Sequence, residues 1–187
     1  MTVRVFVPST LAGLQALQAD GVLFPLGGTV FGVTPTLREA YTSGDDEELA
    51  EAAMRHAARA SLRLLSVDAD DESDGAPDVS GTEGPDAAGA EPDPIRRVVI
   101  TADVAAAKER PDLDDAVLKV TEPIRLQDVI AVHVDVSEAE DAVTRAAQLV
   151  DAADLGDEDA ELAVGDAEDH DLAWYATQEL PFLLELL

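Results

Sequence analysis

The chain has 187 residues, with 40 Asp and Glu against 12 Lys and Arg, no Cys, and a formal net charge of −28. That balance disfavours phosphate backbones and anionic membranes as partners, because both are bound by clustered Lys and Arg. The absence of Cys excludes disulfides, thiolate nucleophiles and Cys-ligated metals, and no apolar run reaches the roughly 18 residues that span a bilayer.

The first apolar alternation covers residues 3–7, with Val3, Val5 and Val7 on one face, and it predicts a half-buried strand ending at Pro8. It lacks the continuous apolar core of a signal peptide, so a cytoplasmic protein is expected. Ser9 or Thr10 caps a predicted helix carrying Leu11, Leu14 and Leu17, and Gly21 stands at its C-cap. Residues 22–33 contain Pro25 and Gly27-Gly28 and read as a loop, with a short strand at 29–33. Thr34-Pro35 starts a short helix running through Tyr41. A longer helix follows from the acids at 45–48 to about Leu65, with Leu49, Ala53, Ala57, Ala60 and Leu64 inward. On its outside, Glu47, Glu51, Arg55, Arg59 and Arg63 recur every four residues. Such a stripe is either a solvated salt ladder or an anion site.

Residues 68–94 hold ten acids, neither Lys nor Arg, and Val79 as their only large aliphatic side chain. A segment of this kind buries too little apolar surface to offset its ordering entropy, so a disordered acidic insert at 68–94 is expected to interrupt a single α/β domain spanning 1–187. Three further strands are predicted: residues 96–104 with Val98, Ile100 and Ala102 on one face, residues 117–122, and residues 130–136. Ser137, with Glu140 three residues on, has the capping-box spacing for a helix lined by Val143, Ala146, Ala147 and Val150. A second Lys/Arg-free stretch at 151–171 carries ten more acids and reads as a loop or frayed helix as far as Asp166. A last helix is predicted from about Asp169, carrying Leu172, Trp174, Tyr175 and Leu180, with Pro181 kinking or ending it before an apolar tail.

Each predicted strand has one aliphatic face and one mixed face. The mixed faces carry Arg4 and Phe6; Arg97, Val99, Thr101 and Asp103; and His133 and Asp135. Parallel doubly wound sheets bury both faces. The pattern therefore predicts a two-layer α+β sandwich of about four strands with helices on one face, ferredoxin-like, with a doubly wound α/β sheet as the alternative.

Candidate chemistry is sparse. His133 and Asp135 share a strand face, and His170 lies among acids before Trp174. Together with Arg4 and Asp103 at strand ends, these residues define a candidate ligand site of Arg4, Asp103, His133, Asp135, His170 and Trp174. No metal-ligand set at fixed spacing, P-loop, nucleophile elbow or H-E-x-x-H motif is present, and no cofactor is named. With 20 of the 40 acids in segments expected to be flexible, a rigid DNA mimic is disfavoured.

Several segments together resemble one family. They are Arg4-Val5-Phe6-Val7-Pro8-Ser9-Thr10-Leu11, Val33-Thr34-Pro35-Thr36-Leu37-Arg38-Glu39, Ala57-Ala58-Arg59-Ala60-Ser61, Val132-His133-Val134-Asp135 and His170-Asp171-Leu172-Ala173-Trp174-Tyr175-Ala176-Thr177-Gln178-Glu179-Leu180-Pro181. The chain resembles an uncharacterised family of small actinobacterial proteins, a domain of unknown function. The resemblance implies a cytoplasmic bacterial protein and brings no activity or site residues. The expected function is a non-catalytic interaction or regulatory protein, bound to a protein partner or to itself through the mixed sheet face or the tail at 182–187. The alternative is a small-molecule or divalent-metal protein, or an enzyme, with its site around His133 and His170.

Overall fold

Val3–Ser9 (β1) forms the middle of a seven-stranded sheet. The structure, a computed structural model, describes residues 1–74 and 93–187. Along the sheet the order is β5-β6-β3-β1-β4-β8-β9, and every neighbouring pair is antiparallel. The other strands are β2 (Val22–Leu23), β3 (Thr29–Phe31), β4 (Val98–Val104), β5 (Lys108–Glu109), β6 (Val117–Lys119), β7 (Ile124–Arg125), β8 (Val129–Asp135) and β9 (Leu172–Ala176). β2 and β7 pair separately. The described residues thus hold nine strands rather than about four, since strands of two or three residues leave no periodicity to read. The antiparallel ladder also replaces the doubly wound alternative.

Helix signals are realised where a cap was written locally. In α1 (Leu11–Asp20), Thr10 Oγ1 accepts from Gly13 N, and Gly21 at φ 73° closes the C-terminus. In α2 (Pro35–Ala40), Thr34 Oγ1 accepts from Leu37 N. At the start of α3 (Asp46–Asp74), Asp45 Oδ1 accepts from the amides of Glu47 and Glu48, and Glu48 Oε2 accepts from Asp45 N. α3 runs nine residues past its predicted end and enters the segment expected to be disordered, because extending a nucleated helix costs far less than starting one. The rest of that expected insert, 75–92, lies outside the described residues.

The sheet is covered on both faces. Val5, Val7, Val98, Ile100 and Val132 point to one side, where Leu14 and Leu17 of α1 and Leu180 and Leu183 of α6 (Leu180–Leu186) pack. Phe6, Phe31, Val99 and Val117 point to the other, against Leu37 of α2 and Leu49, Ala53 and Ala57 of α3. The expected two-layer arrangement, with helices on one face, is corrected to helix–sheet–helix. The polar residues of the mixed face misled because α3 covers only its apolar part, and it does so with alanines that let the helix lie close to the two phenylalanine rings. Beyond the sheet, Leu62 of α3 joins an alanine-rich cluster with α4 (Glu140–Asp154) and α5 (Glu158–Glu168).

Four local readings change in the C-terminal third. Residues 172–176 are edge strand β9, register-matched to β8, rather than helix, which suits the β preference of adjacent Trp and Tyr. Pro181 falls in the first turn of α6, where a missing N–H costs nothing, so it starts a helix rather than ending one. The stretch read as loop or frayed helix is α5, capped by Asp157 Oδ1 accepting from Ala160 N. Ser137 makes no capping box; its hydroxyl donates to Glu138, and Glu140 accepts instead from Arg96. Among the described residues, no helix is long and apolar enough to cross a membrane.

Candidate functional site

The six residues expected to form one site fall into three places. Arg4 and Asp103 are directly opposite in the β1–β4 ladder and form a two-point ion pair at 2.9 and 3.1 Å. The hydrogen bond from Arg4 holds the Asp103 carboxyl below its ordinary range. Further along the same sheet face, His133 Nε2 lies 3.1 Å from Thr101 Oγ1, with the exposed Trp174 across the ladder. Burial pushes the His133 imidazole down, so it is neutral near pH 7.

Asp135 is fully buried and accepts from Arg97 three times, from the backbone N at 2.7 Å, Nε at 2.9 Å and Nη2 at 2.7 Å. Arg97 Nη2 also donates to the carbonyl of His170 at 2.8 Å, which ties the start of β9 to β8. His170 lines a separate hollow of about 230 Å³ with Arg55, Glu168 and Asp171. His133 pairs with Trp174 on β9, whereas His170 lies four residues earlier, in the bend between α5 and β9. The two imidazoles thus belong to different surroundings, and no group of three His, Asp or Glu able to hold a metal exists among the described residues.

A larger hollow lies elsewhere, between α3 and the β3–β6 side of the sheet, with a volume of about 630 Å³. Its α3 wall is His56, Arg59, Ala60, Arg63 and Leu64, and the facing wall is largely Phe31, Leu113 and Val117. The α3 residues follow the i, i+3, i+4, i+7, i+8 spacing of one helix face. Ala60 and Leu64 were expected in the core; they are half-buried here, while Leu62 takes the core position.

Within the cleft, His56 Nδ1 is 3.2 Å from Asp114 Oδ1, and the imidazole lies 6.3 Å from the Phe31 ring centre at 30°. The same Asp114 oxygen accepts from Ala116 N at 3.1 Å, which fixes the carboxylate beside the ring. At the far side, Lys119 Nζ donates to Thr29 Oγ1 at 2.6 Å and to the Gly27 carbonyl at 2.8 Å. Gly27 and Gly28 turn at φ 59° and 68°, and a Cβ on Gly28 would stand 2.3 Å from the Val120 carbonyl oxygen. The loop read from sequence as Gly27-Gly28 is therefore the piece that brings Thr29 and Lys119 to the cleft edge.

Arg59 and Arg63 are held from behind by α4 and α5. Arg63 makes a two-point contact with Asp154 at 2.6 and 3.0 Å, while Arg59 bridges Asp154 at 3.2 Å and Glu161 at 2.9 Å. Arg63 first, then Arg59, lowers the Asp154 carboxyl, and Arg59 lowers Glu161. Carboxylates lowered in the folded state contribute stability above their unfolded pKa, about 4, and lose it as pH falls through the folded value. The melting-temperature advantage of the wild type over Asp154→Asn is therefore full at pH 7 and shrinks below about pH 4. A constant difference across that range would contradict the clamp.

Sequence reading found the Arg59–Arg63 stripe but missed His56, Asp114, Thr29 and Lys119. His56 carried a signal, three residues before Arg59 on the same helix face. Asp114 carried none, since its position depends on a loop closing over α3.

A cleft lined by apolar side chains, with a carboxylate-oriented imidazole and two fixed guanidinium groups, has the features of a small-molecule site on a helix–sheet–helix domain. The chain belongs to the family of unknown function DUF6912, whose model matches residues 3–184. No curated protein matches the chain, and no solved structure does either.

Proposed function

We propose that the protein is a non-catalytic, regulatory binding protein that holds a small molecule in the cleft between α3 and the β3–β6 side of the sheet. The observation that carries this reading is the convergence of the His56–Asp114 pair on a largely apolar cleft of about 630 Å³, within the size range of ligand sites. Binding rather than nucleophilic catalysis is favoured because, among the described residues, His56 is paired with Asp114 and with no hydroxyl or amine that it could activate. A cytoplasmic setting is part of the same proposal. The protein-partner expectation narrows to α6, where Phe182 and Leu186 are exposed while Leu180 and Leu183 are buried.

A thermal-shift screen of common metabolites tests the reading. A ligand present at 100 times its Kd stabilises the fold by about 2.7 kcal/mol. That shift is expected to fall sharply in His56→Ala and Asp114→Asn and to persist in His133→Ala and His170→Ala. A hit lost only in the last two variants would place the site around His133 and His170 instead.

A further inference from the structure

We infer that the cleft's ligand is an anion carried on an apolar body, a carboxylate or phosphate group attached to an aromatic or branched aliphatic frame. This rests on the binding reading above and adds the chemical class. The apolar half follows from the wall formed by Phe31, Leu113, Val117 and Leu64, which offers a flat organic body a dry surface. The charged half follows from where this very acidic chain has put its few cations.

Of 12 Lys and Arg, Arg59 and Arg63 line the cleft and Lys119 stands at its edge against Thr29, whereas Asp114 is the only carboxylate among the described residues that lines it. The acids that bind the two arginines come from α4 and α5, and none of them lines the cleft. They hold the guanidinium groups in place and engage both terminal nitrogens of Arg59, with Glu168 as a third acid at 3.5 Å, so the terminal donor left toward the cleft is on Arg63. Arg63 uses Nε and Nη2 on Asp154, and its Nη1 has no hydrogen bond among the described residues.

The second observation is independent of α3. Lys108 and Lys119 are direct partners across the β5–β6 ladder, a like-charge pair that weakens the strand pairing. Among the described residues neither lysine has an ion pair. An anion seated between Lys119 and Arg63 relieves that repulsion while taking charge-assisted hydrogen bonds from both.

Four probes sharing one body separate the alternatives: 2-naphthoate, 2-naphthyl phosphate, 2-naphthalenemethanol and 2-naphthylmethylammonium, each titrated calorimetrically into the full chain. At least one anion is expected to bind roughly tenfold or more tightly than the alcohol and the ammonium, the worth of one charge-assisted hydrogen bond. The preference should shrink as salt rises to about 0.5 M. The carboxylate and phosphate arms show which headgroup fits. In Arg63→Ala and Lys119→Ala the anion and the alcohol should converge, while Arg63→Lys keeps part of the difference; unchanged alcohol binding shows that the variants are folded. Alcohol or ammonium binding as tight as both anions overturns the anion inference and leaves the cleft reading standing. Failure of all four probes to bind overturns both.

Discussion

Asp135→Ala is expected to lower stability by about 3–5 kcal/mol, the cost of removing one member of a buried ion pair. The Arg97 side chain is 2% exposed and that of Asp135 is 0% exposed, so the variant leaves a guanidinium in the interior with the His170 carbonyl as its one remaining hydrogen-bond partner among the described residues. Replacing the pair together, Arg97→Met with Asp135→Leu, should recover a large part of the loss, because no unpaired charge then stays buried. Chemical denaturation reads both variants. A loss below about 1 kcal/mol for Asp135→Ala would mean that the pair is solvated and behaves as a surface bridge. Asp135 thus serves to join strands, although sequence reading had grouped it with His133 as a ligand contact.

Val99→Ala and Ile100→Ala are both expected to be costly, by about 1.5–3 kcal/mol for the valine and about 2–5 kcal/mol for the isoleucine. The two residues are neighbours on β4 and point to opposite faces, yet each is 0% exposed. Ile100 packs under α1 and α6, and Val99 packs under α3. A sheet with one solvated face would make the isoleucine expensive and the valine nearly free. Equal concern for both positions follows only from helix–sheet–helix layering, so a Val99→Ala loss within about 0.5 kcal/mol, typical of surface sites, would contradict it.

What the sequence made legible was whatever is written within one turn or one pleat. Thr10, Thr34 and the acids before α3 announced their helices because a cap is a contact between residues three apart. The alternation of Val98, Ile100 and Ala102 announced β4 for the same local reason. The layer count was not legible, since the polar residues of the mixed face occupy the part that α3 does not cover. Arg97 looked like a polar strand residue, and its partner Asp135 lies 38 positions away. The cleft was half legible. Its α3 stripe recurs at helical spacing, but the residues that turn a salt ladder into a site, Asp114 and Lys119, reach it through a loop and a short strand with no pattern of their own. His133 and His170 drew attention by residue type, and the register between β8 and β9 sets them apart.

The most direct test of the cleft assignment is an amide chemical-shift map of the isotopically labelled chain titrated with 2-naphthoate. The account predicts that the largest changes fall on residues 29–31, 56–64 and 113–119, the three segments that meet at the cleft. Residues 133 and 170–176 should stay still. Changes centred on those latter residues, with the α3 segment silent, would contradict it and return the site to the sheet face around His133 and Trp174.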